Sequence, residues 1–170
     1  PLSLQFARSG ISVLGLDVDD SKVTALNGGK SYIRHIEDQA IQEQVAAERF
    51  AASTDFSRVA EASAVIICVP TPLSKNREPD ISYVLETGRA MAPHLKPGTL
   101  VALESTTYPG TCSELLKPIL ESSGLKHGED FFLAYSPERE DPGNPAFGTR
   151  SIPKVVGGLD ETSGDLAEAL

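Results

Sequence analysis

Four short segments carry the residue types from which a binding or catalytic site could be built. The first is Asp17-Val18-Asp19-Asp20, which closes the apolar run from Ile11 to Asp17. A carboxylate at the end of such a strand accepts hydrogen bonds from a ribose diol and repels a 2′-phosphate, the preference that separates NAD from NADP. The same Asp-x-Asp-Asp also suits a helix cap in a solvated turn, so Asp17 stands between two readings. The second segment is Val69-Pro70-Thr71-Pro72, and the third runs Glu104-Ser105-Thr106-Thr107-Tyr108-Pro109-Gly110-Thr111. Each follows an apolar run, so the hydroxyls of Thr71, Ser105 and Thr106 lie where open α/β sheets bind a cofactor or hold an ordered water. Threonines beside proline and glycine are equally ordinary turn formers. The fourth is Tyr135-Ser136-Pro137-Glu138-Arg139. There Glu138 could act as general base or orient a water, and Arg139 could pair with a phosphate or carboxylate of a substrate. A solvated charged loop is the plainer alternative for both.

Sulfur and imidazole add little. Of the two cysteines, Cys68 falls inside the apolar run Ala64 to Val69 and reads as core rather than catalyst, while Cys112 belongs to a different element. Neither has a second Cys or His at metal-ligand spacing, so no metal site is expected and a reduced, cytoplasmic protein is. None of His35, His94 and His127 adjoins a nucleophile-like residue in sequence, and His94 is expected at a helix end.

The elements that must position these groups alternate strand and helix, the pattern of a parallel sheet covered by helices. Leu2 to Ser9 is expected as the last turns of a helix closed by Gly10, and Ile11 to Asp17 as a buried strand. Asp20 or Ser21 would cap a helix through Leu26, and Ile36 to Ala47 has helical spacing; Arg49 to Ser53 is a short strand. Phe56 to Ala62 feeds the run Ala64 to Val69, apolar throughout, as a strand buried on both faces requires. Asp80 would cap a helix bearing Ile81, Val84, Leu85, Gly88 and Met91 on one face. Thereafter come a strand Thr99 to Glu104, a helix Thr111 to Ser122, a strand Asp130 to Tyr135, a Pro/Gly loop from Pro137 to Gly148, a short strand Lys154 to Val156 and a helix from Thr162.

Composition sets the outer limits. The 170 residues are 40% apolar and 23% charged, enough for one domain with a core that buries roughly 70% of the unfolded surface. With 24 acidic against 15 basic residues, a net charge of -9 disfavours nucleic acid as a partner. No apolar run approaches the ~20 residues that span a bilayer, and no basic segment precedes an apolar stretch at the N-terminus, so no membrane association or export is expected.

Taken in order, the segments resemble the N-terminal NAD-binding domain of the UDP-glucose/GDP-mannose dehydrogenase family. The residues that carry the resemblance are Pro1-Leu2-Ser3-Leu4, V-L-G-L-D-V-D-D-S-K-V from Val13 to Val23, I-C-V-P-T-P from Ile67 to Pro72, E-S-T-T-Y-P-G-T from Glu104, S-P-E-R from Ser136 and K-V-V-G-G from Lys154. Each is weak singly; their order and spacing are specific. The loops from Leu73 to Asp80 and from Ser136 to Asn144 look more like the branch acting on UDP-N-acetylhexosamines than the UDP-glucose branch.

The resemblance implies an α/β, Rossmann-type, doubly wound parallel sheet. It is expected to be incomplete, because G-x-G-x-x-G occurs nowhere in the sequence and the first strand and glycine loop would precede Pro1. Residues 1–170 would then be a partial NAD-binding domain, without the family's central helix and C-terminal UDP-sugar-binding domain. It further implies Asp17 on the adenosine ribose, Lys22 near the adenosine end, Thr71, Ser105 and Thr106 at the cofactor or a catalytic water, Thr106 and Glu138 in catalysis, and Glu138 with Arg139 toward the substrate.

Family members oxidise the C6 alcohol of a UDP-sugar twice, with two NAD, through an aldehyde and a cysteine thioester that water hydrolyses to a uronate. Neither Cys68 nor Cys112 sits in the G-G-x-C-x-P context of that cysteine. Members acting on UDP-glucose often carry a second glutamate four residues after the position of Glu138, where this chain has Pro142. The full-length protein would be a homodimer or higher homo-oligomer. A β-hydroxyacid dehydrogenase, expected to carry a glycine-rich substrate loop in place of S-P-E-R, and a non-catalytic nucleotide-binding module are the other readings. An expected consequence of the missing strand and loop is that residues 1–170 alone bind NAD poorly.

Overall fold

Leu4 and Ala7, one helical turn apart, are the buried residues of helix α1 (Leu2–Arg8). The helix stops where Gly10 turns to φ +93°: its N–H donates to Ala7 O and that of Ile11 to Phe6 O, both at 3.1 Å. This paired bond pattern closes a helix through a left-handed residue, which glycine adopts without steric cost. The chain then enters strand β1 (Val13–Leu16).

The computed structural model describes residues 1–73, 79–137 and 153–170, which divide into two compact units, Pro1–Phe56 and Ser57–Leu170. In the first unit β1 pairs in parallel with β2 (Phe50–Ser53), from Val13↔Phe50 to Leu16↔Ser53. A parallel pair needs a crossover, supplied here by helices α2 (Asp20–Asn27) and α3 (Asp38–Ala46). Asn27 fastens the first of these to the sheet. Its Nδ2 donates to Ala52 O at 2.9 Å and its Oδ1 accepts from Ala52 N–H at 2.8 Å, satisfying both backbone groups of a β2 residue at once.

A short 3-10 helix (Phe56–Glu61) leads to the second unit's β3 (Ala64–Ile67), which pairs in parallel with β4 (Thr99–Leu103); β4 in turn pairs in parallel with β5 (Phe131–Tyr135). All five residues of β4 are buried, whereas in β3 only Ile67 is. The strand buried along its whole length is therefore β4 and not the run from Ala64 to Val69 as expected; among the described residues β4 lies between two neighbouring strands, whereas β3 pairs with β4 alone. Since β3 ends at Ile67, Cys68 lies beyond it and is exposed, not core as expected.

Helix α4 (Ser82–Met91) buries Val84, Gly88 and Met91. The spacing is that of one helical face. The helix expected over Thr111 to Ser122 is instead a π-helical turn (Thr111–Leu116) followed by α5 (Lys117–Glu121). Pro118 supplies no N–H for an ordinary helical bond, and the wider turn accommodates that loss. Leu103, Leu116, Leu120, Phe131 and Leu133 are fully buried, each worth about 1.5–3 kcal/mol relative to exposure.

The strand expected at Lys154 to Val156 falls on β6 (Gly157–Gly158), antiparallel to β5, so the parallel sheet carries an antiparallel edge. Glycine is required there. A Cβ on Gly158 would collide with the backbone N of Gly164 in helix α6 (Glu161–Ala169). Among the described residues, no helix is long and apolar enough to cross a membrane.

Candidate functional site

At the carboxyl end of β1 two aspartates, Asp17 and Asp19, divide the work. Asp19 occupies the N-cap of α2 and accepts from Ser21 N–H at 3.0 Å, so the cap is Asp19 and not Asp20 or Ser21. Its carboxyl is held below the usual range, first by the Ser21 hydroxyl. Asp17 stabilises the turn itself: Oδ1 accepts from Asp19 N–H at 2.9 Å, and Oδ2 pairs with Lys22 Nζ at 3.2 Å.

The pairing with Asp17 raises the Lys22 pKa, and the ammonium also stands 5.7 Å from the centroid of the Tyr32 ring. With 32% of its side chain exposed and each oxygen engaged once, the Asp17 carboxylate keeps outward lone pairs. That is the acceptor chemistry a ribose diol needs, and Lys22 supplies a cation beside it. The acceptor side of a dinucleotide site therefore fits the residues present, while no residue of this sequence forms a G-x-G-x-x-G loop.

In the second unit, polar residues collect at the carboxyl ends of three adjacent parallel strands. Ser105 is buried and its hydroxyl donates to Val69 O at 2.8 Å, tying the end of β4 to the end of β3. Thr106 beside it is exposed, and Thr71 is half-buried. The rest of the loop is ordered internally: Thr107 Oγ1 donates to Thr111 Oγ1 at 2.6 Å, which donates to Tyr108 O at 2.9 Å. Gly110, at φ +94°, starts the π-helical turn that follows. Glu138 and Arg139 lie outside the described residues.

One pair was absent from the sequence-based expectations as a site. Glu104 is buried at 6% exposure, and its Oε1 pairs with Lys154 Nζ at 2.6 Å. Its second oxygen lies 4.0 Å from Cys68 Sγ. The available signal was a carboxylate ending an apolar strand run and a lysine opening K-V-V-G-G.

His127, Ser163 and Cys112 are committed to structure. His127 Nε2 lies 3.3 Å from Ser163 Oγ and 3.6 Å from Asp160 Oδ2, a juxtaposition invisible in sequence. Ser163 is fully buried and accepts from Leu133 N–H at 3.2 Å, so its hydroxyl pins α6 to β5 rather than facing a substrate. Burial pushes the Cys112 thiol up to about 11, which removes it as a nucleophile at neutral pH.

The sequence model described as "UDP-glucose/GDP-mannose dehydrogenase family, NAD binding domain" matches residues 1–170. The chain is 30% identical to a UDP-N-acetyl-D-glucosamine 6-dehydrogenase of Pseudomonas aeruginosa over 171 aligned positions, which cover 100% of this chain and 40% of that protein. It is 32% identical to a UDP-N-acetyl-D-mannosamine dehydrogenase of Pyrococcus horikoshii, covering 100% of this chain and 41% of the relative. The solved NDP-N-acetyl-D-galactosaminuronic acid dehydrogenase of Methanosarcina mazei Go1 superposes with a TM-score of 0.88 at 38% identity, over 98% of this chain and 38% of that one. The chain thus spans about two fifths of the length of the curated relatives it matches.

Proposed function

The chain belongs to the UDP-glucose/GDP-mannose dehydrogenase family as an NAD-binding domain, and from that premise we propose that it serves an enzyme oxidising the C6 alcohol of a UDP-N-acetylhexosamine to a uronate. The observation that carries this reading is the match along all 170 residues, with Asp17 engaged yet solvent-accessible at the end of β1. Asp17 would accept from the adenosine ribose, with Lys22 beside it. Thr71, Ser105 and Thr106 would line the cofactor side at the ends of β3 and β4. NAD, when bound, accepts the hydride; this chain's residues bind it, orient it and hold protons and water in place.

Thr106 would hold an ordered water, Glu138 would act as the base that activates it, and Arg139 would pair with an anionic group of the substrate. The nucleophilic thiol is neither Cys68 nor Cys112 in this proposal. The full-length protein would be a cytoplasmic homodimer or higher homo-oligomer.

The test is NAD reduction by the full-length protein across UDP-N-acetylglucosamine, UDP-N-acetylmannosamine, UDP-N-acetylgalactosamine, UDP-glucose and GDP-mannose. Two NADH per uronate with a UDP-N-acetylhexosamine is the expected outcome. Turnover confined to UDP-glucose or GDP-mannose would move the substrate to another branch, and no turnover with any of them would overturn the enzymatic assignment.

A further inference from the structure

The register of the second sheet extends one residue past its strands. Ile67, Leu103 and Tyr135 are partners across β3, β4 and β5. Glu104 N–H donates to Ile67 O at 2.9 Å and Ser136 N–H to Leu103 O at 3.0 Å, so Cys68, Glu104 and Ser136 form the next row. Residues paired across adjacent strands project to the same face. The row therefore gathers a thiol, a buried carboxylate and a hydroxyl at the edge of the sheet where α/β proteins bind ligands.

Lys154 closes this row from a distance. It lies three residues before β6, which pairs with β5, yet its ammonium contacts Glu104 at the end of β4, two strands away. The ion pair consequently links the strand ends on either side of Ser136. Ser136 is itself buried, and its Oγ has no hydrogen-bond partner among the described residues. A native interior seldom leaves such a group unmatched.

Stability alone does not account for the pair. Only Glu104 is buried, while the Lys154 side chain stays 29% exposed; taking that carboxylate out of water costs desolvation that its attraction to the ammonium offsets only in part, and an apolar side chain of similar volume commonly serves a fold as well or better. We propose that Glu104 and Lys154 act together as a positioning pair, fixing the carboxyl ends of β4 and β5, and with them Ser105, Thr106 and Ser136, for the oxidation proposed above. This rests on that functional reading. Neither side chain is itself spent on the ligand; their effect passes through the groups they hold.

The experiment uses the full-length enzyme with its best nucleotide sugar, comparing Lys154→Met, Lys154→Arg and the double variant Glu104→Gln/Lys154→Met by steady-state kinetics and thermal melting. Lys154→Met should lower kcat by at least about tenfold, since small misplacements of reacting groups cost that much or more, with KM for NAD and sugar changed less than about threefold. Lys154→Arg should recover most of the rate. Because Lys154→Met leaves Glu104 buried without its partner, it should also melt early. The double variant removes that strain and should melt near the wild type while remaining slow. A double variant that regains both melting temperature and kcat would show a merely structural pair and overturn the assignment. If the wild-type enzyme oxidises no nucleotide sugar, the function fails first, and the melting data still report on the pair separately.

Discussion

Asp17 and the two cysteines show how far a residue's identity predicts its chemistry. Asp17 anchors its own turn through Asp19 N–H and Lys22, so removing it loosens the turn as well as any cofactor contact. In the full-length enzyme, Asp17→Ala should weaken NAD binding by about 1.5–3 kcal/mol, the value of hydrogen bonds to a charged acceptor. The diagnostic quantity is the ratio of NAD to NADP affinity measured by calorimetry. Loosening the turn weakens both nucleotides alike, whereas loss of the carboxylate removes repulsion of the 2′-phosphate and narrows the ratio; an unchanged ratio would leave Asp17 a turn residue. The cysteines differ by burial: Cys68 is exposed, and Cys112 is buried with its thiol pushed up to about 11. Iodoacetamide at neutral pH, followed by peptide mass spectrometry, should label Cys68 in the folded protein and Cys112 only after unfolding, since the thiolate is the reactive form. Equal labelling rates would contradict this placement. Sequence could not supply that contrast, because Cys68 sits in an apolar run whose strand stops one residue before it. The Glu104–Lys154 pair was hidden for a related reason: its members are 50 residues apart and meet only once the strand order is known.

At the scale of elements, apolar periodicity located nearly every helix and strand, and the boundaries followed local chemistry that periodicity does not encode. Strand β1 begins at Val13, two residues later than the apolar run, because the chain is still completing the glycine turn after α1. The edge strand after Lys154 falls on two glycines, where close approach to α6 matters more than apolar character. Helix α3 gives the sharpest case. It ends with the same bond pair as α1, Glu48 N–H to Val45 O at 3.0 Å and Arg49 N–H to Gln44 O at 2.9 Å, but the left-handed residue is Glu48, at φ +55°. A non-glycine residue there is disfavoured by about 1–2 kcal/mol, and glycine returns about 0.5–1 kcal/mol of that through its greater unfolded-state freedom. Glu48 is exposed, so its replacement forfeits no core packing. Glu48→Gly should therefore stabilise the chain by about 0.5–1 kcal/mol in urea titration, with an unchanged slope. A destabilised variant would mean that the Glu48 side chain contributes more than its backbone costs.

For the whole molecule, the division at Phe56 predicts uneven stability. The smaller unit, Pro1–Phe56, has a sheet of two strands, and a domain of about 60 residues buries only roughly 60% of the surface its unfolded chain exposes. Among the described residues, the larger unit has a four-stranded sheet with β4 buried along its whole length and Val101, Leu103, Leu116, Leu120, Phe131 and Leu133 fully enclosed. Local opening follows such differences, since segments with fewer buried apolar contacts exchange their amides through cheaper fluctuations. Hydrogen exchange followed by mass spectrometry on the chain should find the amides of β4 and β5 slowest, with those of β1 and β2 exchanging earlier. The chain contains no tryptophan, which makes exchange a more direct probe of the two units than intrinsic fluorescence. Denaturant at low concentration should accelerate exchange less steeply in Pro1–Phe56 than in Ser57–Leu170, because an opening confined to the smaller unit exposes less surface than global unfolding and the dependence on denaturant scales with that surface. Uniform protection across both units, rising and falling together with denaturant, would show that the chain opens as one cooperative body and that the boundary at Phe56 has no energetic counterpart.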